Sequence, residues 1–122
     1  MQYLLLFYAD EQWRESLSDD ERAAITREFY ALHDELQESG GYVTGAPLRS
    51  TESATTVRVR DEELIVTDGP FAETKEQLGG FFLIEVGSFE EAQACAARVP
   101  TARYGSVEVR PIVPVPAEVS SA

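Results

Sequence analysis

The sequence predicts an α+β fold, a ferredoxin-like βαββαβ sandwich with an inserted β-hairpin, and three observations carry that expectation. Apolar strand-like runs and two helical stretches follow one another as strand, helix, strand, hairpin, strand, helix, strand. Both helical stretches open on a Ser-x-x-Glu signature, at Ser18-Asp19-Asp20-Glu21 and Ser88-Phe89-Glu90-Glu91. The runs at 3–8 and 81–86 are apolar at consecutive positions, so neither face of the sheet they build can be left to water.

Each element has its own signal. Tyr3-Leu4-Leu5-Leu6-Phe7-Tyr8 reads as a buried first strand. The first capping box starts a helix whose acidic first turn suits the helix dipole, and Gly40-Gly41 stops it near Ser39. Ile25, Phe29, Leu32 and Leu36 form its apolar stripe. Tyr42-Val43-Thr44 begins a second strand that ends at Gly45-Ala46-Pro47. The stretch 55–60 alternates, Asp61-Glu62-Glu63 turns it, and 64–67 returns as a hairpin. Phe81 starts the next strand. Phe89, Ala92, Ala96 and Val99 then line the second helix, which Pro100 ends. Residues 106–110 alternate as a last strand, followed by a loose tail from Pro111.

The 122 residues suit one domain with one core. No apolar run approaches the roughly 20 residues that cross a bilayer, and the first residues lack a basic flank and a cleavage site, so a cytoplasmic protein is expected. One cysteine, Cys95, excludes an internal disulfide; set among helix alanines, it reads as a packed, inert thiol. A lone histidine beside that single cysteine gives no expectation of a metal or another cofactor. The net charge of −12 argues against direct nucleic-acid binding and against anionic membranes. Ten of the 22 acidic residues fall between Asp10 and Glu38, a solvated face or a surface for a basic protein partner.

The most informative stretch is Asp68-Gly69-Pro70-Phe71-Ala72-Glu73-Thr74-Lys75-Glu76, a polar loop between two apolar runs. Together with Tyr3-Leu4-Leu5-Leu6-Phe7-Tyr8, Gln77-Leu78-Gly79-Gly80-Phe81-Phe82-Leu83-Ile84-Glu85 and Gly105-Ser106-Val107-Glu108-Val109-Arg110-Pro111, it resembles the DGPF subgroup of the YCII-related proteins. The resemblance covers residues 1–112, leaving 113–122 as a tail. It implies a dimeric α+β barrel and an association with extracytoplasmic-function sigma factors, and it implies no biochemical activity. Smaller YCII-like proteins carry a suggested acid/base histidine eleven residues before the glycine that ends the first helix; counted from Gly41, that position is Tyr30. His33 lies one turn later, so the role is not carried to it.

Asp68 is read in two ways, as a general base or ligand anchor and as an acceptor closing its own Asx-turn. Tyr30 and His33, three apart on the first helix, form either a boundary pair or the wall of a pocket. Glu73, Lys75 and Glu76 offer ion pairs or a polar ligand site, Phe71 a plug into the core or a stacking platform, and Arg58 with Arg60 an anion site or pairs with Glu62 or Glu63. Tyr8, with Asp10 and Trp13, is placed at the barrel mouth.

Three functions compete. The first is a non-catalytic homodimeric module for a small-molecule ligand or a regulatory protein. The second is a cofactor-free isomerase- or lyase-type enzyme in which Asp68 moves a proton and Tyr30 or His33 polarises the substrate. The third is a purely structural dimer.

Overall fold

The computed structural model describes residues 1–116; the last part of the expected tail, 117–122, lies outside them. Six strands are present: β1 (Gln2–Ala9), β2 (Tyr42–Pro47), β3 (Thr55–Arg60), β4 (Glu63–Asp68), β5 (Gln77–Glu85) and β6 (Ser106–Pro111). The helices are α1 (Glu11–Glu15), α2 (Asp19–Ser39) and α3 (Phe89–Arg98). Four strands form one antiparallel sheet in the order β2-β5-β1-β6, the ferredoxin-like arrangement. β3 and β4 pair separately as the inserted hairpin. The sheet of the single chain is open, not a closed barrel.

The caps behave as their residues dictate. Ser18 accepts from the Glu21 N–H at 3.1 Å and Glu21 accepts from the Ser18 N–H at 2.9 Å, so α2 begins on a complete capping box. Gly40 ends it at φ 80°, a left-handed conformation natural for glycine. At α3 only half the box forms: Ser88 accepts from Glu91 N–H, while the Glu91 carboxylate accepts from Gly87 N–H instead. The sequence reading missed α1, which is too short for helical periodicity, although Asp10 caps it by accepting from Gln12 N–H. It also started β5 four residues late, because Gly79-Gly80 look like loop residues until their strand partners are known.

Strict alternation along β1 sends Tyr3, Leu5, Phe7 and Ala9 toward the helices. There Tyr3, Leu5 and Phe7 meet Leu32 and Leu36 of α2, Phe82 and Ile84 of β5, and Ala92, Cys95 and Ala96 of α3. Leu5, Ile84 and Val99 are fully buried, each contributing roughly 1.5–3 kcal/mol through burial alone. Arg98 pairs with Glu35 and Arg103 with Glu28, so α3 and the turn after it are laced to the acidic flank of α2. No described helix is long and apolar enough to cross a membrane.

Candidate functional site

Beneath the N-terminal half of α2 the helix stands off the sheet, leaving a cleft of about 470 Å³. The stripe of α2 divides here. Leu32 and Leu36 enter the core, whereas Ile25, Phe29 and His33, with Thr26 and Tyr30 beside them, line the cleft. The floor comes from β1, β2 and β5: Phe7, Phe82, Tyr42, Gly45, Gly79 and Gly80. Arg14 of α1 and Arg22 of α2 stand at one end, and Thr101 and Tyr104 also reach it.

Three glycines shape that floor. Between Phe7 and Tyr8 the β1–β5 register slips by one, pairing Phe7 with Gly80 and Tyr8 with Leu78, so Gly79 is the extra residue of a β-bulge. A Cβ at Gly79 would come 3.1 Å from Arg14 Nη1; the missing side chain lets the guanidinium lie over the strand. A Cβ at Gly45 would meet the Phe81 carbonyl oxygen at 2.6 Å, so only glycine lets β2 approach β5 this closely.

The polar groups are few and placed. His33 Nδ1 lies 3.2 Å from Asp34 Oδ1, and its ring meets Tyr42 edge-on at 4.4 Å. Tyr30 is 65% exposed and stands at the rim. Arg22 donates to the carbonyls of Arg14 and Glu15 and pairs with Asp19, fastening α1 to α2. A second cleft of about 200 Å³ continues past Arg14, Arg22 and Gly79 to Arg49, with Glu11 and Glu15 also in its wall. The Glu11 carboxylate is engaged there, accepting from Thr51 N–H at 3.1 Å.

Of the residues singled out from sequence, the cleft unites Tyr30 and His33 and leaves the others elsewhere. Asp68 ends β4 on the exposed hairpin and lines neither cleft. No Asx-turn forms. Its loop is pinned instead by backbone: Gly69, at φ 98°, donates to the Ala54 carbonyl at 2.7 Å, and its own carbonyl accepts from Thr56 Oγ1. Phe71 does not plug the core; it is 79% exposed. Glu73 and Lys75 form no ion pair among the described residues, while Glu76 accepts from Ser106 Oγ at 2.9 Å. Arg58 and Arg60 find neither Glu62 nor Glu63. Tyr8 lies on the sheet face away from the helices, bonded to Glu108 at 3.3 Å. Burial, then the Glu108 charge, raises its phenol above the ordinary value. Trp13 stacks on Tyr104 at 4.5 Å, and Asp10 caps α1, so no three-residue mouth forms. Sequence reasoning missed Arg14 and the glycine floor; the available signal was Gly79-Gly80 inside an apolar run, a place where a bulge or a close approach is expected. The described residues hold no cluster of three or more His, Cys, Asp or Glu side chains able to bind a metal.

Comparison with known proteins agrees with this architecture. The YCII-related domain profile matches residues 1–116. "Uncharacterized protein R00369" of Rhizobium meliloti (strain 1021) is 41% identical over 114 residues, 92% of each chain. With that match spanning nearly its whole length, this chain belongs to the YCII-related family.

Proposed function

We propose that the protein is a small accessory module whose ligand sits in the cleft between α2 and the β2–β5 floor. The observation that carries this is the cleft itself. Its volume of about 470 Å³ falls within the range of small-molecule sites, and its aromatic wall of Phe7, Phe29 and Phe82 is joined by few polar groups. Nile red, a neutral apolar dye, tests it. Thr26→Trp should block dye binding by filling the cleft from the exposed side of α2, whereas Leu83→Gln, on the opposite sheet face, should leave the cleft-bound dye in place. Dye binding untouched by Thr26→Trp would sink the reading.

The resemblance to the DGPF subgroup supports adding homodimerisation and a protein-mediated link to an extracytoplasmic-function sigma factor. The acidic α2 is less available for a basic partner than its composition suggests, since Glu28 and Glu35 are already paired. Sedimentation of the two proteins together at low and high salt tests that contact, and no complex at low salt would remove it.

A second reading, proton-transfer enzyme, draws on one observation. Asp34 beside His33 Nδ1 can hold the proton there and leave Nε2 as the base in the cleft. Asp68 has no place in that version, because it does not line the cleft. Loss of turnover in His33→Gln with ligand binding kept is its test; unchanged turnover would end it.

A further inference from the structure

We infer that the cleft takes an organic anion, an apolar body bearing a carboxylate, with Arg14 holding the carboxylate at the Gly79 end. This rests on the ligand-binding reading and specifies its chemistry.

The chain carries 22 acidic residues against ten basic ones, yet no Asp or Glu lines the larger cleft, whose charged groups are Arg14 and Arg22. A surface drawn at random from this composition would be acidic. Arg22 already has work, donating to two carbonyls of α1 and pairing with Asp19. Arg14 forms no ion pair among the described residues, whereas Arg98, Arg103 and Arg110 each have a glutamate. Its Nη1 lies over the bulged Gly79, 3.1 Å from where a Cβ would stand. An unpaired, planar, always-charged fork at the end of an aromatic slot is matched by a carboxylate, which can accept two parallel N–H bonds. Of the nearby acids, Glu11 and Glu15 line only the smaller cleft, Glu11 being engaged by Thr51 N–H, while Asp19 is paired with Arg22 and Asp34 lies against His33 Nδ1, neither of them in the lining of the larger cleft. A cationic ligand would meet two arginines and no counter-charge.

The test is calorimetric titration of the intact protein with 4-phenylbutanoate and its neutral analogue 4-phenylbutanamide, with ¹⁵N spectra following the Gly79 and Gly80 amides. The carboxylate should bind about tenfold tighter than the amide, the scale of one charge-assisted hydrogen-bonded pair. It should shift both glycine amides and lose affinity as salt rises, while the amide probe does not. Arg14→Gln should abolish the preference without weakening the amide probe, and Arg14→Lys should restore part of it. Arg14 is exposed, so far-UV circular dichroism of both variants should match the parent. Equal affinity for the two probes, or a preference that survives Arg14→Gln, overturns the anion inference and leaves the cleft reading standing. Failure of both probes while Nile red still binds in the cleft also overturns the anion inference alone; failure of all three overturns both.

Discussion

The Asp68 side chain stands at the end of β4, where no described group donates to it. The loop geometry belongs to Gly69 and to backbone bonds, so Asp68→Asn should shift stability by less than about 0.5 kcal/mol, as at a surface site away from special contacts. Melting curves check this, and a large loss would return the carboxylate to a structural role. Cys95 is the opposite case. It is packed in the core beneath α3, and burial raises its thiol above the ordinary value, partly opposed by the charge of Arg98. The folded state therefore holds the proton more tightly than the unfolded state does. Its contribution to stability is complete below the ordinary thiol range, about 8.5, and is lost as the pH rises above it. Native Cys95 should resist iodoacetamide at pH 8 far longer than the urea-unfolded chain, and the alkaline decline in stability should flatten in Cys95→Ala. The fate of Cys95 was readable from its place among helix alanines, on the side that carries Ala92, Ala96 and Val99. Those of Asp68 and Phe71 were not. Whether a loop side chain turns inward depends on what the rest of the chain places beneath it, and local sequence holds no record of that.

The hairpin of β3 and β4 is an element whose existence was legible and whose surroundings were not. Val57 faces Val66 and Val59 faces Leu64 on one side, and all four are 58–67% exposed. Alternation foretold two faces but could not say that the apolar one would lack cover. The turn itself is strained. Asp61 and Glu62 both have positive φ, 50° and 66°, as a type I′ turn requires. Aspartate visits that region tolerably; for glutamate it costs about 1 kcal/mol. Glu62→Gly should therefore strengthen the hairpin, seen as several-fold slower hydrogen exchange of the β3 and β4 amides with little change in those of β1 and β5. Faster exchange across the hairpin would mean that the turn tolerates Glu62 for another reason. The cleft was the least legible element of all. It depends on how far α2 stands from the sheet and on the bulge at Gly79, and both emerge only once β1 and β5 are in register.

At the scale of the whole molecule, charge and the uncovered sheet face decide what this protein can meet. A net charge of −12 with three arginines locked to glutamates leaves no basic stripe, so a mobility-shift assay at low salt should show no saturable complex with duplex DNA. In the proposed homodimer, the sheet face away from the helices would meet a copy of the same chain. Leu4 pairs with Leu83 and Leu6 with Phe81 across the β1–β5 ladder, giving that face an apolar centre. Tyr8, Glu108 and Arg110 border it with a bonded polar edge. An apolar centre with a polar rim is the anatomy of an interface, and two such faces brought together would complete the barrel that one open sheet cannot. Light scattering at micromolar concentration should give twice the 13.5 kDa of one chain. Leu6→Glu should halve that mass with helical content unchanged, because a two-fold contact sets each new carboxylate near its own copy and buries both. The exposed hairpin offers a rival contact, and Val57→Lys separates the two. If Val57→Lys dissociates the particle and Leu6→Glu does not, the hairpin is the interface. A parent protein that scatters as a single chain would remove the dimer altogether, leaving the apolar centre of the sheet to be covered by a different partner.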